Sequence, residues 1–194
     1  VMSSADFGVG AFGKLSVAGW PGIDYQATVT NGSGYATSEA DARKAVAARI
    51  SSTLLSDPER GKILVGAFGN LEGADGSLSL AGNKQVGAAI SYELGIAALA
   101  AEYLYGSKSE KRVNGYSIGG ILNLNAWLQN CRAFARIDSY DPDTSISGNE
   151  KARSFYGLIY DWSKDIKLAA DVQNSQIGGG SVTSILYFHM LAQL

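Results

Sequence analysis

The chain has 194 residues, the size of one domain, with 46% apolar residues, a formal net charge of −2 and a mean hydropathy of +0.01. It is too polar for a helical membrane protein, and no run approaches the ~18 charge-free apolar residues of a spanning helix. The absence of a basic stripe argues against a nucleic-acid partner, the single Cys131 cannot close an internal disulfide, and the single His189 argues against a His-based metal site.

Taken in chain order, the apolar residues recur with a period of two, the signature of strands with one apolar and one polar face. The first predicted strand, Phe7 to Val17, puts Val9, Ala11, Leu15 and Val17 on one face and Lys14 and Ser16 on the other. In Ile23 to Thr30 the alternation is unbroken: Ile23, Tyr25, Ala27 and Val29 against Asp24, Gln26, Thr28 and Thr30. Arg43 to Leu54 turns Val46, Ala48, Ile50 and Leu54 outward and Arg43 and Arg49 inward. It has a helical competitor, since Ser38 and Asp41 resemble a cap with an acidic first turn and Ala42, Val46, Ile50 and Leu54 also fall at helical spacing. The neighbouring strands favour the strand reading. Lys62 to Leu71, Gln85 to Leu94, Ile96 to Tyr105 and Val113 to Asn125 follow, and then Arg132 to Tyr140, Arg153 to Asp161, Ile166 to Gln173 and Val182 to Leu194.

Across these eleven segments the apolar face carries no charge, while Gly, Asn and charged residues crowd the other. A soluble sandwich needs the reverse, apolar faces inward and Lys and Glu outward. An outward apolar face and a wet inner face instead predict an all-β fold, a transmembrane antiparallel β-barrel. High Gly (24) and Tyr (10) with only 3 Pro agree with closely spaced strands and amphipathic anchors. The links are expected to alternate between short (Ala18 to Gly22, Ser56 to Gly61, Gly95, Ala126 to Cys131, Trp162 to Asp165) and long (Asn31 to Ala42, Glu72 to Lys84, Gly106 to Arg112, Asp141 to Ala152, Asn174 to Ser181). Trp20, Tyr25, Tyr92, Trp127, Tyr160 and Trp162 are expected at the short-turn rim, and Tyr103, Tyr105, Tyr116 and Tyr156 at the long-loop rim, as two aromatic girdles. An odd count of strands with the last one ending at the periplasmic rim leads us to expect residues 1–194 to form one domain preceded by further strands. The alternative, a hidden strand at Gly73 to Ala81, would need its own partner.

Several stretches, weak singly, are specific in combination. They are Asp24-Tyr25 leading to Asn31-Gly32-Ser33-Gly34-Tyr35, Lys44 through Ala48-Arg49, Ala101-Glu102-Tyr103, Phe134 through Pro142, and Lys167 through Gln173. Together the chain resembles the later two-thirds of a bacterial phosphate-selective (O/P-type) porin. The resemblance implies a barrel of about sixteen strands in the bacterial outer membrane, surrounded by lipid and lipopolysaccharide. It also implies a homotrimer, or another membrane complex, that passes small solutes, anions such as phosphate among them, by passive diffusion. The chain departs from that family in ending on Leu194 and in lacking a match to its constriction loop.

In such a pore the chemistry is field and width. Candidate pore-lining residues are Lys14, Arg43, Arg49, Arg136, Arg153 and Lys167, a possible positive ladder, with Glu102 and Asp138 among the opposing acids Asp24, Glu93, Asp161 and Asp171. The plainer reading pairs these charges across strands, with Arg49, Arg136 and Arg153 partnering Asp138, Glu102 and Asp161. No catalytic triad, paired catalytic carboxylates or phosphate loop has convincing spacing, so neither an enzyme nor a cofactor is expected. His189 is expected to hydrogen-bond in the lumen, and Cys131 to be a lone buried thiol. A structural barrel within a larger outer-membrane complex is the alternative to a channel. A soluble all-β binding module would require a second sheet on the apolar faces.

Overall fold

The computed structural model describes residues 8–16, 21–30, 44–72, 83–108 and 110–192, and all of its regular elements are strands. They are β1 (Gly8–Leu15), β2 (Ile23–Thr30), β3 (Ala45–Asp57), β4 (Gly61–Glu72), β5 (Asn83–Leu94), β6 (Ala97–Lys108), β7 (Lys111–Asn123), β8 (Cys131–Asp141), β9 (Lys151–Asp161), β10 (Ile166–Ile177) and β11 (Thr183–Ala192). Each pairs antiparallel with its neighbours in sequence, forming one eleven-stranded sheet in the order β1 to β11. β1 and β11 do not pair, so the sheet is open among the described residues. Phe7, Val17, Trp20, Arg43, the stretch 73–81 and Leu194 lie outside the described residues.

All eleven predicted strands are present, and the helical alternative for β3 falls away. Its residues Val46, Ala48 and Ile50 are opposite Leu71, Gly69 and Ala67 on β4 and opposite Val29, Ala27 and Tyr25 on β2. Two expectations need correction. The register of β3 on β4 shifts between Thr53 and Leu55, so Leu55 and not Leu54 continues the apolar row opposite Ile63. The extra residue of such a bulge is invisible to a strict period of two. The β6–β7 link is not a long loop: pairing continues out to Lys108 opposite Lys111, which closes a tight hairpin. At the β3–β4 turn, Asp57 Oδ1 accepts the N–H groups of Glu59 and Arg60 at 2.8 Å each. Gly61 leaves that turn at φ 87°, a conformation glycine adopts without Cβ strain.

The registers divide the side chains cleanly. Every charged strand residue lies on one face except Asp57, Lys84, Arg112 and Asp141, which sit at strand ends. The other face carries Val, Ile, Leu, Ala and Tyr, and among the described residues nothing packs on it. Only Ala45, Val113 and Cys131 are buried apolar residues among those described, whereas Val9 is 81% exposed and Met190 73%. There is thus no core between layers, and cohesion comes from the backbone ladder and neighbouring side chains on each face.

The apolar residues form a band that crosses the strands obliquely. On β1 to β4 its edge lies on one rung, Val9–Val29–Val46–Leu71. Beyond Tyr116, Ile137, Tyr156, Val172 and Leu186 the same face turns polar, at Asn114, Ser139, Ser154, Asn174 and Ser184. The rung of Tyr156, Val172 and Leu186 runs back through Ala135, Gly120, Leu99 and Tyr92 to Ile63, about eight residues along β4 from Leu71. At ~3.3 Å per residue and ~4.8 Å per strand spacing, the band's edge slopes by about 38° from β4 to β11, or roughly 30° averaged over the sheet. This slope also places Tyr103, Tyr116 and Tyr156 near mid-strand and not at the strand ends, because their strands continue beyond the band.

One close approach on the polar face fixes a side chain important below. Phe68 lies across Gly87, where an added Cβ would meet its ring (Cε2 at 2.7 Å) and the Tyr103 carbonyl oxygen at 2.6 Å. At Gly69 an added Cβ would find only ordinary contacts, at 3.5 Å and beyond. Gly87→Ala should therefore lower the stability of the folded protein by about 1–3 kcal/mol through forced displacement of the ring, and Gly69→Ala should leave it nearly unchanged. Denaturant unfolding of the two variants checks this, and equal effects would contradict the interlock.

Candidate functional site

The polar face collects the groups able to act on a solute, and antiparallel pairing puts them in rungs. One rung runs Lys14, Asp24, Ser51, Gly66, Ala89, Glu102 on β1 to β6 and continues as Ser117, Asp138, Arg153, Ser175 and Thr183. It is small or polar at every strand, which a two-residue period makes possible without any single conspicuous motif.

Several charges of the polar face are paired. Lys14 Nζ is 3.7 Å from Asp24 Oδ1 directly opposite. On β8, Arg136 Nε donates at 2.6 Å to Oδ1 of Asp138, one of the acids expected to pair with the arginines, but along its own strand and not across strands. The partner of Asp161 is Arg132, Nη2 to Oδ1 at 2.7 Å, and not Arg153. Arg132 is a polar-face residue absent from the sequence-derived set. It had no distinguishing signal beyond its place next to Cys131. Lys167 is opposite Asp161, and both line a hollow with Arg132 and Trp162 beside the β9–β10 turn. Arg153 is opposite Asp138 in register, yet Asp138 bonds Arg136 instead. Cys131 is buried, as expected.

His189 meets its expected role on the polar face. Its Nε2 lies 2.6 Å from Oδ2 of Asp171, a carboxylate only 5% exposed, and its ring stacks on Tyr187 with centroids 5.9 Å apart. The residues opposite this pair in register are Ala169, Gly157 and Tyr187, none of them a Ser, Thr or Cys. Among the described residues no group of three or more His, Cys, Asp or Glu side chains could hold a metal ion.

The centre of the polar face differs from its sides. A hollow of about 510 Å³ extends from β3 to β8 over a floor of Gly66, Ala89, Ala100 and Gly119. Arg49, Phe68, Glu102 and Arg136 stand around it, with the hydroxyls of Ser51, Ser91 and Ser117. Of the sequence-predicted residues it brings together Arg49, Glu102 and Arg136. Lys14, Asp138, Arg153 and Lys167 lie on the same face outside its lining, and Arg43 is outside the described residues. Beyond the hollow, towards the free edge, the polar face turns apolar: Phe134, Phe155, Ile159, Ile185, Tyr187 and Leu191 all share it. Alternation on β11 hides this, because both of its faces are apolar.

At the far tip, the β8–β9 connection is pinned by a carboxylate. Asp143, 7% exposed, accepts from Ser145 Oγ at 2.6 Å and from Lys111 Nζ of the β6–β7 hairpin at 3.1 Å. Thr144 N donates to the Arg112 carbonyl at 3.0 Å. No known protein family, curated protein or solved structure matches this chain.

The hydrogen bond from Ser145 and then that from Lys111 hold the Asp143 carboxyl below the ordinary aspartate value. A group whose folded-state pKa is depressed stabilises the fold above its unfolded pKa and ceases to do so as pH falls through the folded one. The tip should therefore keep its amide protection at Thr144 and Ser145 from neutral pH down to about pH 4 and lose it in more acid solution. Asp143→Asn should weaken that protection already at neutral pH, with no further loss on acidification. Hydrogen exchange followed against pH reads both. An unaltered profile in the variant would contradict the role of the carboxylate.

Proposed function

We propose that these eleven strands belong to a transmembrane antiparallel barrel of a bacterial outer membrane, of about sixteen strands when complete. In this reading the polar face lines a water-filled channel for passive diffusion of small solutes. The observation that carries the reading is the oblique apolar band. Its slope of about 38° over most of the sheet falls within the ~35–45° strand tilt of membrane barrels. Roughly seven to nine residues per strand, at ~3.3 Å each, project at that tilt to about 18–24 Å, close to the ~25 Å apolar belt of such barrels. A sheet whose apolar face merely met another protein layer would have no reason to tilt its band against its own hydrogen-bond rungs. The resemblance to phosphate-selective porins supports the channel class, a trimeric assembly and an outer-membrane setting in lipid and lipopolysaccharide.

A second reading, a structural barrel whose interior is occupied by a partner, has one observation in its favour. This is the apolar stretch of the polar face around Phe155, Ile185 and Tyr187. An open water-filled lumen gives those side chains nothing apolar to meet.

Arginine scanning and conductance test the two levels separately. Arg at Ile118 or Leu168, on the apolar face, should cost roughly 2–4 kcal/mol of folding free energy in lipid vesicles, while Arg at their polar-face neighbours Ser117 or Ala169 should be tolerated. Equal damage at both kinds of position would end the barrel reading. Stepwise ion conductance from the protein in planar bilayers is the result expected of a channel. A folded, inserted protein that conducts nothing would favour the occupied barrel.

A further inference from the structure

We infer that the central hollow is a binding site for a neutral, polyhydroxylated solute, a short saccharide, and not for a simple anion. The inference takes from the channel reading only the solute's route to this face, and it names the solute class that the channel would favour.

The charge balance speaks first. Arg49 and Arg136 contribute two positive charges at the hollow, Glu102 contributes a negative one, and Asp138 bound to Arg136 contributes another, so the sum is zero. An anion drawn to Arg49 therefore enters a hollow with no net positive charge to retain it. Hydroxyl groups both donate and accept, so a sugar can answer guanidinium donors and a carboxylate acceptor at once without any charge to balance.

Uncommitted hydrogen-bonding capacity is the second observation. Among the described residues, the side chains of Arg49, Glu102, Ser51, Ser91 and Ser117 have no hydrogen-bond or ion-pair partner, in contrast to the paired charges elsewhere on this face. The third is the shape of the wall. The floor is Gly and Ala, and Phe68 lies across Gly87, directly opposite Arg49. A ring held against the wall offers one open face to the apolar side of a pyranose. Arg49 and Glu102 are three strands apart, about 14 Å at ~4.8 Å per spacing, so one extended ligand would have to bridge them; that favours an oligosaccharide over a monosaccharide.

Maltotriose is the probe, titrated calorimetrically into the full chain folded in detergent, with inorganic phosphate as the competing probe. Saturable maltotriose binding is expected, weakened roughly two- to tenfold by Phe68→Ala. Arg49→Gln and Glu102→Gln should weaken it as well, phosphate should not displace it, and Phe68→Tyr should retain it, which guards against a variant that fails to fold. Phe12→Ala, an exposed polar-face aromatic outside the hollow, should bind as the parent does. Absence of saturable binding, or binding indifferent to Phe68→Ala, would overturn the inference, as would phosphate binding in place of the sugar. Because the titration needs no ion flow, a chain that binds maltotriose but does not conduct would refute the channel and leave the saccharide site standing.

Discussion

Every feature of this protein depends on its being a sheet one layer thick. Eleven strands satisfy one another's backbone groups laterally, but among the described residues no second layer covers either face. Burying a Leu- or Phe-sized side chain is worth about 1.5–3 kcal/mol, so a face carrying such residues on every strand strongly favours a non-aqueous surrounding. The same constraint sorts the charges. On the apolar face only strand ends tolerate them, as at Lys84, Arg112 and Asp141, and the rest are confined to the opposite side.

That confinement builds the candidate site. With so many ionisable groups on one face, several find a partner next door, as Lys14 and Asp24 or Arg132 and Asp161 do, and such half-exposed pairs contribute little stability. Where the wall residues shrink to Gly and Ala, Arg49 and Glu102 have room and, among the described residues, no partner. The hollow therefore arises from volume as much as from charge. Arg49 and Glu102 stay available there because neither has a charged residue directly opposite it: Gln26 and Phe68 flank Arg49, and Ala89 and Ser117 flank Glu102.

The strands were legible in the sequence because alternation is a local signal that tertiary context reinforced. Ile23 to Thr30 shows it at its clearest, and β3 was recovered against a helical competitor by the pattern of its neighbours. The bulge at Leu54 was not legible, since one inserted residue breaks the period without changing composition. The extended β6–β7 hairpin was hidden in the same way, Lys108 to Lys111 being too polar to read as strand. Which face each described candidate residue occupies followed from alternation, and the hydrogen bond expected of His189 is made with Asp171. Ion-pair choices did not follow, because Asp138 has Arg153 across from it and Arg136 along its own strand, and only rotamers decide between them. Phe68 and the small-residue floor escaped notice for a different reason: a glycine opposite an aromatic has meaning only once the register is known.

Whether one face meets lipid while the other meets water is the central claim, and spin-label scanning reads it most directly. Labels placed singly along Gly115 to Leu122 of β7, in the protein reconstituted into vesicles, would be tested for collision with oxygen and with a water-soluble nickel complex. The account predicts a period of two in opposite phase: oxygen collisions high at Tyr116, Ile118, Gly120 and Leu122, and nickel collisions high at Gly115, Ser117, Gly119 and Ile121. Equal access of the nickel complex to both sets, or no alternation at all, would contradict it.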